Sequence, residues 1–378
     1  MMRDPTSLQS RRRTGLRYTI LVFIVFALIA GWSGFWKVAA GKAETTIEGW
    51  RAREAQAGRI YSCSSQNVGG FPFRIEVNCD QASALFRSSQ PPLELKTTGL
   101  VVVAQVYQPG LLVSEFRGPL TVGEPGKPPD LVADWKLAQS SLRGTPTAPE
   151  RGSLVFDQSA VDRINGGTRQ NILRARHMEI HGRVAEGSAA NKPVIEVALQ
   201  LDQASAPTLH PAAAQPIDAN VTALLRGLND FSPKPWSVRF RDMQAAGGRI
   251  DITKARVQQG EILAIGGGAL SLNGNGGLEG ELRITMAGLD QFLAAIGAQQ
   301  KVQTSPNMEK IVGVLDRLAP GLGDVARQQA GANISLGINL LGEQTTLEGK
   351  RAVTLPLRFN DGAVFLGPIP IGNTPALF

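Results

Sequence analysis

Two cysteines and three histidines are the residues of this chain best suited to redox or metal chemistry. Cys63 and Cys79 are the only cysteines, and the 15 residues between them are too many for a C-x-x-C redox motif. In an oxidising compartment we expect them to form a disulfide. Closing a loop of this size stabilises a fold by about 3 kcal/mol in the chain-entropy model. The alternative is a pair of free, buried thiols.

His177 and His181 flank Glu179 in the segment RARHMEIHGRV. On a helix this spacing could hold a zinc ion. The surrounding residues favour a β-strand, in which residues four apart are about 13 Å from each other. One metal ion could not reach both histidines without a bend, so we predict surface histidines on a strand and no metal site.

The glycine-rich segment 266–280 could be mistaken for a phosphate-binding loop. No G-x-G-x-x-G run begins a helix here, and the chain contains neither a Walker A nor a G-x-S-x-G motif. The leucines on both sides predict a hairpin with Asn275-Gly276 as its turn. The sequence therefore singles out no catalytic residue and no cofactor site.

The net charge of +7 is concentrated near the N-terminus. Residues 1–37 carry a charge of +5, which leaves +2 for the rest of the chain. A nearly neutral domain offers no basic stripe along which a phosphate backbone could bind, so we expect no nucleic-acid partner.

An uncharged apolar segment occupies residues 18–36, YTILVFIVFALIAGWSGFW. About 20 apolar residues suffice to span a bilayer as a helix, and Trp32 and Trp36 lie where interfacial aromatic residues are enriched. The arginines that precede the span predict a cytoplasmic basic tail over residues 1–17 and an inner-membrane protein whose main domain is periplasmic. Cleavage as a signal peptide is the alternative, because VAAGKA at 38–43 could serve as a cleavage site.

Beyond the span we predict a juxtamembrane helix over residues 37–60, then a chain dominated by alternating apolar and polar residues. Such alternation is typical of strands with one buried face. Strands are expected at 73–79, 236–242, 278–286, 334–340 and 353–359. Apolar stripes at helical spacing predict helices at 219–229, 289–298 and 306–318.

Two stretches 163 residues apart are similar in sequence. PFRIEV at 72–77 matches PWSVRF at 235–240, and a Gln-Ala pair follows each of them. We interpret this as two related β-rich halves, 61–215 and 216–378, in which Phe73 and Trp236 are equivalent core anchors. Chance similarity among alternating strands is the alternative. The expected fold class is α+β, with a transmembrane helix followed by a large antiparallel-sheet-rich domain that carries helices on its sheets.

The anchor, the juxtamembrane helix with its tryptophan, the GFPFR segment at 70–74 and LPLRFNDGAVFLGPIPIG near the C-terminus carry a resemblance. Together they resemble an uncharacterised family of membrane-anchored periplasmic proteins of Gram-negative bacteria, a domain of unknown function. The G-x-L-x-L-x-G pattern of strands at 268–288 resembles, more loosely, AsmA-like envelope proteins, whose β-rich grooves are associated with lipid traffic. Neither resemblance implies active-site residues.

These observations favour a non-enzymatic function, namely the binding or transfer of a lipid or another amphiphile in envelope maintenance. A periplasmic protein-interaction scaffold that uses exposed strand edges is the alternative, and an envelope hydrolase is the third hypothesis. A groove lined continuously by valine, leucine and isoleucine would favour the first hypothesis, and a closed, filled core would favour the second. Clustered buried carboxylates in a pocket would favour the third.

Overall fold

The computed structural model describes residues 11–145, 148–189, 191–232, 234–296, 342–367 and 369–378. Within these ranges the chain forms three α-helices, a short 3-10 helix at Pro211–Ala214 and eighteen strands that pair antiparallel. This confirms the predicted α+β class with its long N-terminal helix and large antiparallel sheet. The chain divides into two compact units: unit 1 holds Met1–Phe116 and Gly123–Lys127, and unit 2 holds Arg117–Val122 and Pro128–Phe378.

Helix α1 runs without a break over Arg11–Gln56 and so joins the predicted span to the predicted juxtamembrane helix. It is long and apolar enough to cross a membrane, and none of its most apolar window is buried against the protein. A helix of 46 residues is about 70 Å long, more than twice the hydrocarbon thickness of a bilayer. The part that follows the apolar segment therefore extends beyond a membrane. Gly58, with a φ of 79°, follows its end.

Unit 1 is built around one long strand. The strands after α1 are β1 (Arg59–Ser62), β2 (Ser65–Gly69), β3 (Arg74–Phe86), β4 (Leu93–Gln105) and β5 (Gln108–Gly123). Strand β3 pairs with β1 and β2 along one edge and with β4 along the other. Val77 and Cys79 stand opposite Val102 and Leu100 of β4, so apolar side chains share one face, as the alternation predicts.

Unit 2 contains Arg117–Val122 of β5 and the remaining strands that the structure describes. They are β6 (Leu131–Asp134), β7 (Leu137–Thr145), β8 (Ala148–Asn165), β9 (Thr168–Val184), β10 (Ile195–Ala204), β11 (Ile217–Arg226), β12 (Arg249–Gln259), β13 (Ile262–Leu272), β14 (Leu278–Ala287), β15 (Glu343–Leu347), β16 (Lys350–Asn360), β17 (Ala363–Leu366) and β18 (Ile369–Asn373). From β7 to β14 each strand pairs with the next, and β14 then pairs with β16. The other edge of β16 is shared by β15 and β17.

Two helices of unit 2 lie within the described residues, α2 (Trp236–Ala245) and α3 (Leu289–Ala295). Helix α3 agrees with the helix predicted at 289–298. The hairpin of β13 and β14 around Asn275-Gly276 and the strands predicted at 278–286 and 353–359 are also confirmed. The helix predicted at 306–318 and the strand predicted at 334–340 lie outside the described residues.

The predictions for 219–229 and 236–242 are wrong. The first segment falls in strand β11, where Val221 and Leu225 pair with β10 and β12 on either side. Its leucine-rich run is compatible with both helical and strand periodicity, and pairing with the two neighbouring strands makes it a strand. The second segment is helix α2, in which the rings of Trp236 and Phe240 are 5.8 Å apart, one helical turn from each other. Aromatic residues four positions apart satisfy a strand and a helix equally.

These corrections remove the correspondence on which the two related halves depended. Strand β3 would match a helix, and Phe73 and Trp236 are 63% and 69% exposed rather than core anchors. The proposed boundary at 215–216 lies just before β11, inside unit 2. A common origin of 61–215 and 216–378 stays a prediction, without support from that match.

Candidate functional site

The sheet of unit 2 carries apolar side chains in rows that cross strand after strand. Residues paired across an antiparallel ladder project to the same face, so the register of each pair extends a row. One row contains Leu154, Ile180, Leu199, Val221, Ala255, Gly266, Ile284 and Leu355, one residue from each strand from β8 to β14 and then from β16.

Parallel rows lie two residues to either side. One contains Phe156, Met178, Leu201, Ala219, Val257, Ala264, Met286 and Val353, and another contains Gly152, Gly182, Val197, Ala223, Ile252, Gly268, Leu282 and Leu357. None of these 24 positions is charged or polar. We call this surface the apolar face.

The opposite face of the same strands, the polar face, carries paired charges, and at β13–β16 it also holds a second buried apolar cluster of Leu263, Ala287, Leu347 and Ala352. Arg183 of β9 binds Glu196 of β10 through two hydrogen bonds of 3.0 Å, and Arg358 of β16 donates to Glu281 of β14 at 3.0 Å. Both pairs are register partners across a ladder. Solvated ion pairs of this kind contribute little to stability individually. These exposed pairs show that the parts of this face outside that cluster are turned to water.

One end of the apolar face is covered by helix α3. Leu289 and Leu293 of α3 pack with Met286, Val353 and Leu355 in a cluster whose members are all less than a tenth exposed. Gly288, at φ 76°, lets the chain turn directly from β14 into this helix. Both α2 and α3 also contact β13.

Over β8–β11 most positions of the same rows are only half-buried, although Ala219 is 6% exposed. Phe156, Met178, Leu199 and Val221 keep part of their surface accessible, and Ile180 is 46% exposed. Fully buried side chains in a core lose their water contacts, as the cluster under α3 does. The apolar face therefore passes from a closed core at β14–β16 to an accessible surface at β8–β11.

The two histidines considered for metal binding lie on strand β9, as predicted, on the polar face. His177 bonds to Asp157 at 2.5 Å and to Glu179 at 2.7 Å, and His181 bonds to the other oxygen of Glu179 at 2.7 Å. The hydrogen bond to Asp157 raises the pKa of His177, and that to Glu179 adds to the effect. The hydrogen bonds from His181 and His177 lower the pKa of Glu179.

This polar cluster shows no arrangement typical of a hydrolase. A shallow cavity of about 490 Å³ beside it is lined by Ser153, His181, Arg183 and Glu196, among others. The Ser153 hydroxyl is hydrogen-bonded to the Ser141 hydroxyl at 2.7 Å, and no serine–histidine bond is found in the described part of the chain. Within the same residues no group of three potential ligands is placed to hold a metal ion.

Cys63 and Cys79 are joined by a disulfide in unit 1, with their Cα atoms 5.3 Å apart. Cys63 lies between β1 and β2, both of which pair with β3, the strand that carries Cys79. The bond thus ties the connection between two edge strands to the central strand. The Arg51 guanidinium of α1 contacts the Cys63 sulfur at 3.0 Å.

The chain matches one family over residues 36–375, described as "Uncharacterized protein conserved in bacteria". It belongs to the DUF2125 family. The match begins at Trp36, the last residue of the apolar segment, and includes both units. No curated protein matches the chain. DUF2125 membership agrees with the resemblance found in the sequence and assigns no activity.

The apolar face is the feature of this DUF2125 protein that the sequence reveals least directly. Each strand shows an alternation, but no single strand shows that its row continues into seven others. Glycines and alanines within the rows, such as Gly182, Ala219 and Gly266, also interrupt the hydrophobic signal. Adding the ladder register to the alternation recovers the face.

Proposed function

We propose that this protein is a membrane-anchored, non-enzymatic binder of a lipid or a similar amphiphile. The ligand would lie on the apolar face of unit 2 over strands β8–β11 and serve maintenance of the cell envelope. The observation that carries the proposal is the continuity of the apolar rows from a covered core into a half-exposed surface. Among the described residues, the rows continue beyond the part of the sheet that α3 covers, further than the core under that helix requires.

The dimensions of the face suit an acyl chain. Neighbouring strands lie about 4.8 Å apart, so β8–β11 measure about 14 Å from the first strand to the last. A lipid acyl chain occupies half of a hydrocarbon core that is about 30 Å thick, or about 15 Å. Each methylene group that leaves water for such a surface contributes about 0.8 kcal/mol. A bound acyl chain would also relieve the exposure of Ile180 and its neighbours.

The compartment is part of the proposal. The apolar segment of α1 is compatible with a membrane anchor, the arginines that precede it favour a cytoplasmic N-terminus, and a disulfide persists outside the reducing cytosol. These observations support an inner-membrane protein with a single span and a periplasmic main domain. In this location the apolar face would meet lipids as they leave or enter a bilayer.

Adjacent residues on β9 provide a matched test. Ile180 projects from the apolar face and His181 from the polar face, and both are exposed. A photo-reactive phenylalanine analogue is placed at Ile180 in one variant and at His181 in the other, and cells that produce the full chain are irradiated. We expect covalent phospholipid adducts, identified by intact-mass spectrometry, only from position 180.

Equal labelling at both positions, or no lipid adduct at position 180, would refute the proposed function. Co-purification provides a second readout. Native mass spectrometry of the detergent-purified chain should detect bound lipid that Leu199→Lys removes and Gln200→Lys retains, because Leu199 and Gln200 are neighbours on opposite faces of β10.

A further inference from the structure

The connections at one end of the unit 1 sheet expose large aromatic side chains. Phe71 and Phe73, between β2 and β3, are 53% and 63% exposed, and Tyr107, just after β4, is 69% exposed. The two connections adjoin, because the amide of Val106 donates to the carbonyl oxygen of Phe73 at 3.0 Å. We call these three residues the aromatic patch.

Helix α1 holds the first of these connections beside the end of its apolar segment. The indole nitrogen of Trp32 donates to the carbonyl oxygen of Pro72 at 2.8 Å, and that of Trp36 donates to the carbonyl oxygen of Arg74 at 2.8 Å. The rings add aromatic contacts, with centroids 6.1 Å apart for Trp32 and Phe73 and 5.6 Å for Trp36 and Phe71. Two adjacent turns of the helix thus bind both sides of the connection.

The sequence GGFPFR is suited to this close approach. Gly70 has a φ of 97°, and a Cβ atom there would lie 2.7 Å from the carbonyl oxygen of Arg74. The amide of Arg74 donates back to the carbonyl oxygen of Gly70 at 3.1 Å, which closes the turn. Within this connection Phe71 and Phe73 contact the tryptophans of α1 and remain more than half exposed.

The level of the aromatic patch follows from these bonds. If residues 18–36 span a bilayer, Trp32 and Trp36 lie at its far boundary, and the turn bonded to them lies at the same depth. Aromatic side chains are enriched at this boundary, where the ring leaves water. Burial of a phenylalanine side chain contributes about 1.5–3 kcal/mol. Lys37 is exposed nearby, as is Arg74, whose guanidinium is paired with Glu76 at 2.9 Å.

We propose that Phe71, Phe73 and Tyr107 insert into the interface of the bilayer that α1 spans, between the lipid headgroups and the acyl chains. Unit 1 would then have a second contact with the membrane besides the span. The occupant of the aromatic patch is the phospholipid interface, not a partner protein. The proposal rests on the span of α1 and is independent of lipid binding by unit 2.

Spin-label accessibility tests the depth of the patch in the full chain. The two native cysteines are bonded to each other, so a thiol-reactive label attaches only at an introduced cysteine. Labels are placed through Tyr107→Cys and through Gln105→Cys, an exposed residue paired with Arg74. The control is Ser88→Cys, an exposed residue just past the other end of β3, about 40 Å along the strand.

The protein is reconstituted into vesicles of phosphatidylethanolamine and phosphatidylglycerol, and collisions of each label with oxygen and with a nickel chelate are measured. Insertion of 5–10 Å should raise the oxygen-to-nickel ratio at positions 105 and 107 by about threefold or more over position 88. Equal ratios at all three positions would overturn the proposal. The label at Gln105 decides the result if Tyr107→Cys does not fold.

A double substitution separates insertion from mere proximity. Phe71→Ser with Phe73→Ser keeps α1 and the backbone bonds to Trp32 and Trp36 but removes two of the three inserted rings. The oxygen-to-nickel ratio at Gln105→Cys should then fall toward the control value. An unchanged ratio would mean that α1 alone sets the depth, which would refute insertion of the patch.

Discussion

Individual side chains contribute different kinds of information in this protein. The two cysteines predict a compartment, and the structure adds that Cys79 is nearly fully buried on the apolar side of β3 while Cys63 is partly accessible. His177 and His181 are hydrogen-bonded to Asp157 and Glu179 on the polar face. The disulfide and the charge on His177 each give a testable prediction.

Loss of the disulfide should cost more from one cysteine than from the other. Cys63→Ser and Cys79→Ser both remove a bond worth about 3 kcal/mol. Cys79→Ser also places a hydroxyl on the buried face, which should cost about 1 kcal/mol more. Denaturant unfolding of the two variants in detergent measures the difference. Equal stabilities, or thiols that react in the denatured, unreduced wild type, would contradict this account.

The raised pKa of His177 gives stability a defined dependence on pH. Because the charged form is favoured in the folded state, the contribution is complete below the ordinary histidine pKa of about 6.5 and is lost as the pH rises through the raised pKa. His177→Asn should therefore lower the melting temperature more at pH 6 than at pH 8.5. For a partly exposed pair the difference is about 0.5 kcal/mol.

The Asp157→Asn background is the control for this measurement. Asp157 supplies the main hydrogen bond to His177, so its neutral isostere should remove most of the pH-dependent part of the His177→Asn effect. A cost of His177→Asn that is the same at both pH values in the wild-type background would show that packing, not charge, explains it.

At the scale of elements, the sequence predicts most strands and misassigns where two periods coincide. Segments 278–286 and 353–359 alternate and are strands, whereas 236–242 alternates over as many residues as 353–359 and is a helix. Register and pairing depend on the neighbouring strand, so the apolar face could not be predicted from any one segment. The exposure of Phe71 and Phe73 could not be predicted either, because an apolar residue type does not show whether its side chain lies in a core or at the surface.

The dipeptide Asp-Gln recurs at equivalent bends within three strands. Asp-Gln steps at 80–81, 157–158 and 202–203 each place the glutamine at a φ of 48–50°, within strands β3, β8 and β10. A small residue follows each step, and Ser159 and Ala204 among these are buried. The left-handed glutamine reorients the strand so that the small side chain turns inward. The repeated dipeptide was visible in the sequence, but its meaning required the backbone angles.

Among the glycines of the apolar face, we expect Gly268 to tolerate no larger side chain. This residue has a φ of 151°, and a Cβ atom there would lie 2.4 Å from the carbonyl oxygen of Glu281 on β14. Gly268→Ala should destabilise the fold by about 1–3 kcal/mol, because backbone must move to accommodate it. Gly274→Ala is the control, since a Cβ atom there meets nothing within 4 Å. Similar melting temperatures for the two variants would contradict the close packing of β13 on β14.

At the scale of the whole molecule, the match to the DUF2125 family places the chain among related bacterial proteins but assigns it no function. The proposed role depends on the side of the membrane on which the strands lie. If the domain lay in the cytosol, the disulfide of unit 1 would be exposed to reducing conditions and would not persist. Both the persistence of the disulfide and the access of the apolar face to envelope lipids therefore depend on the orientation of the chain in the membrane.

Paired reporters test the orientation. Alkaline phosphatase, which is active only outside the cytoplasm, and green fluorescent protein, which fluoresces when it folds in the cytoplasm, are fused separately after Phe378. The arginine cluster that precedes the span predicts phosphatase activity without fluorescence. Replacing Arg11, Arg12, Arg13 and Arg17 with glutamine should weaken this bias, because those charges hold the N-terminus inside. Fluorescence without phosphatase activity in the wild type would reverse the topology and remove the compartment on which the proposed lipid binding by unit 2 depends.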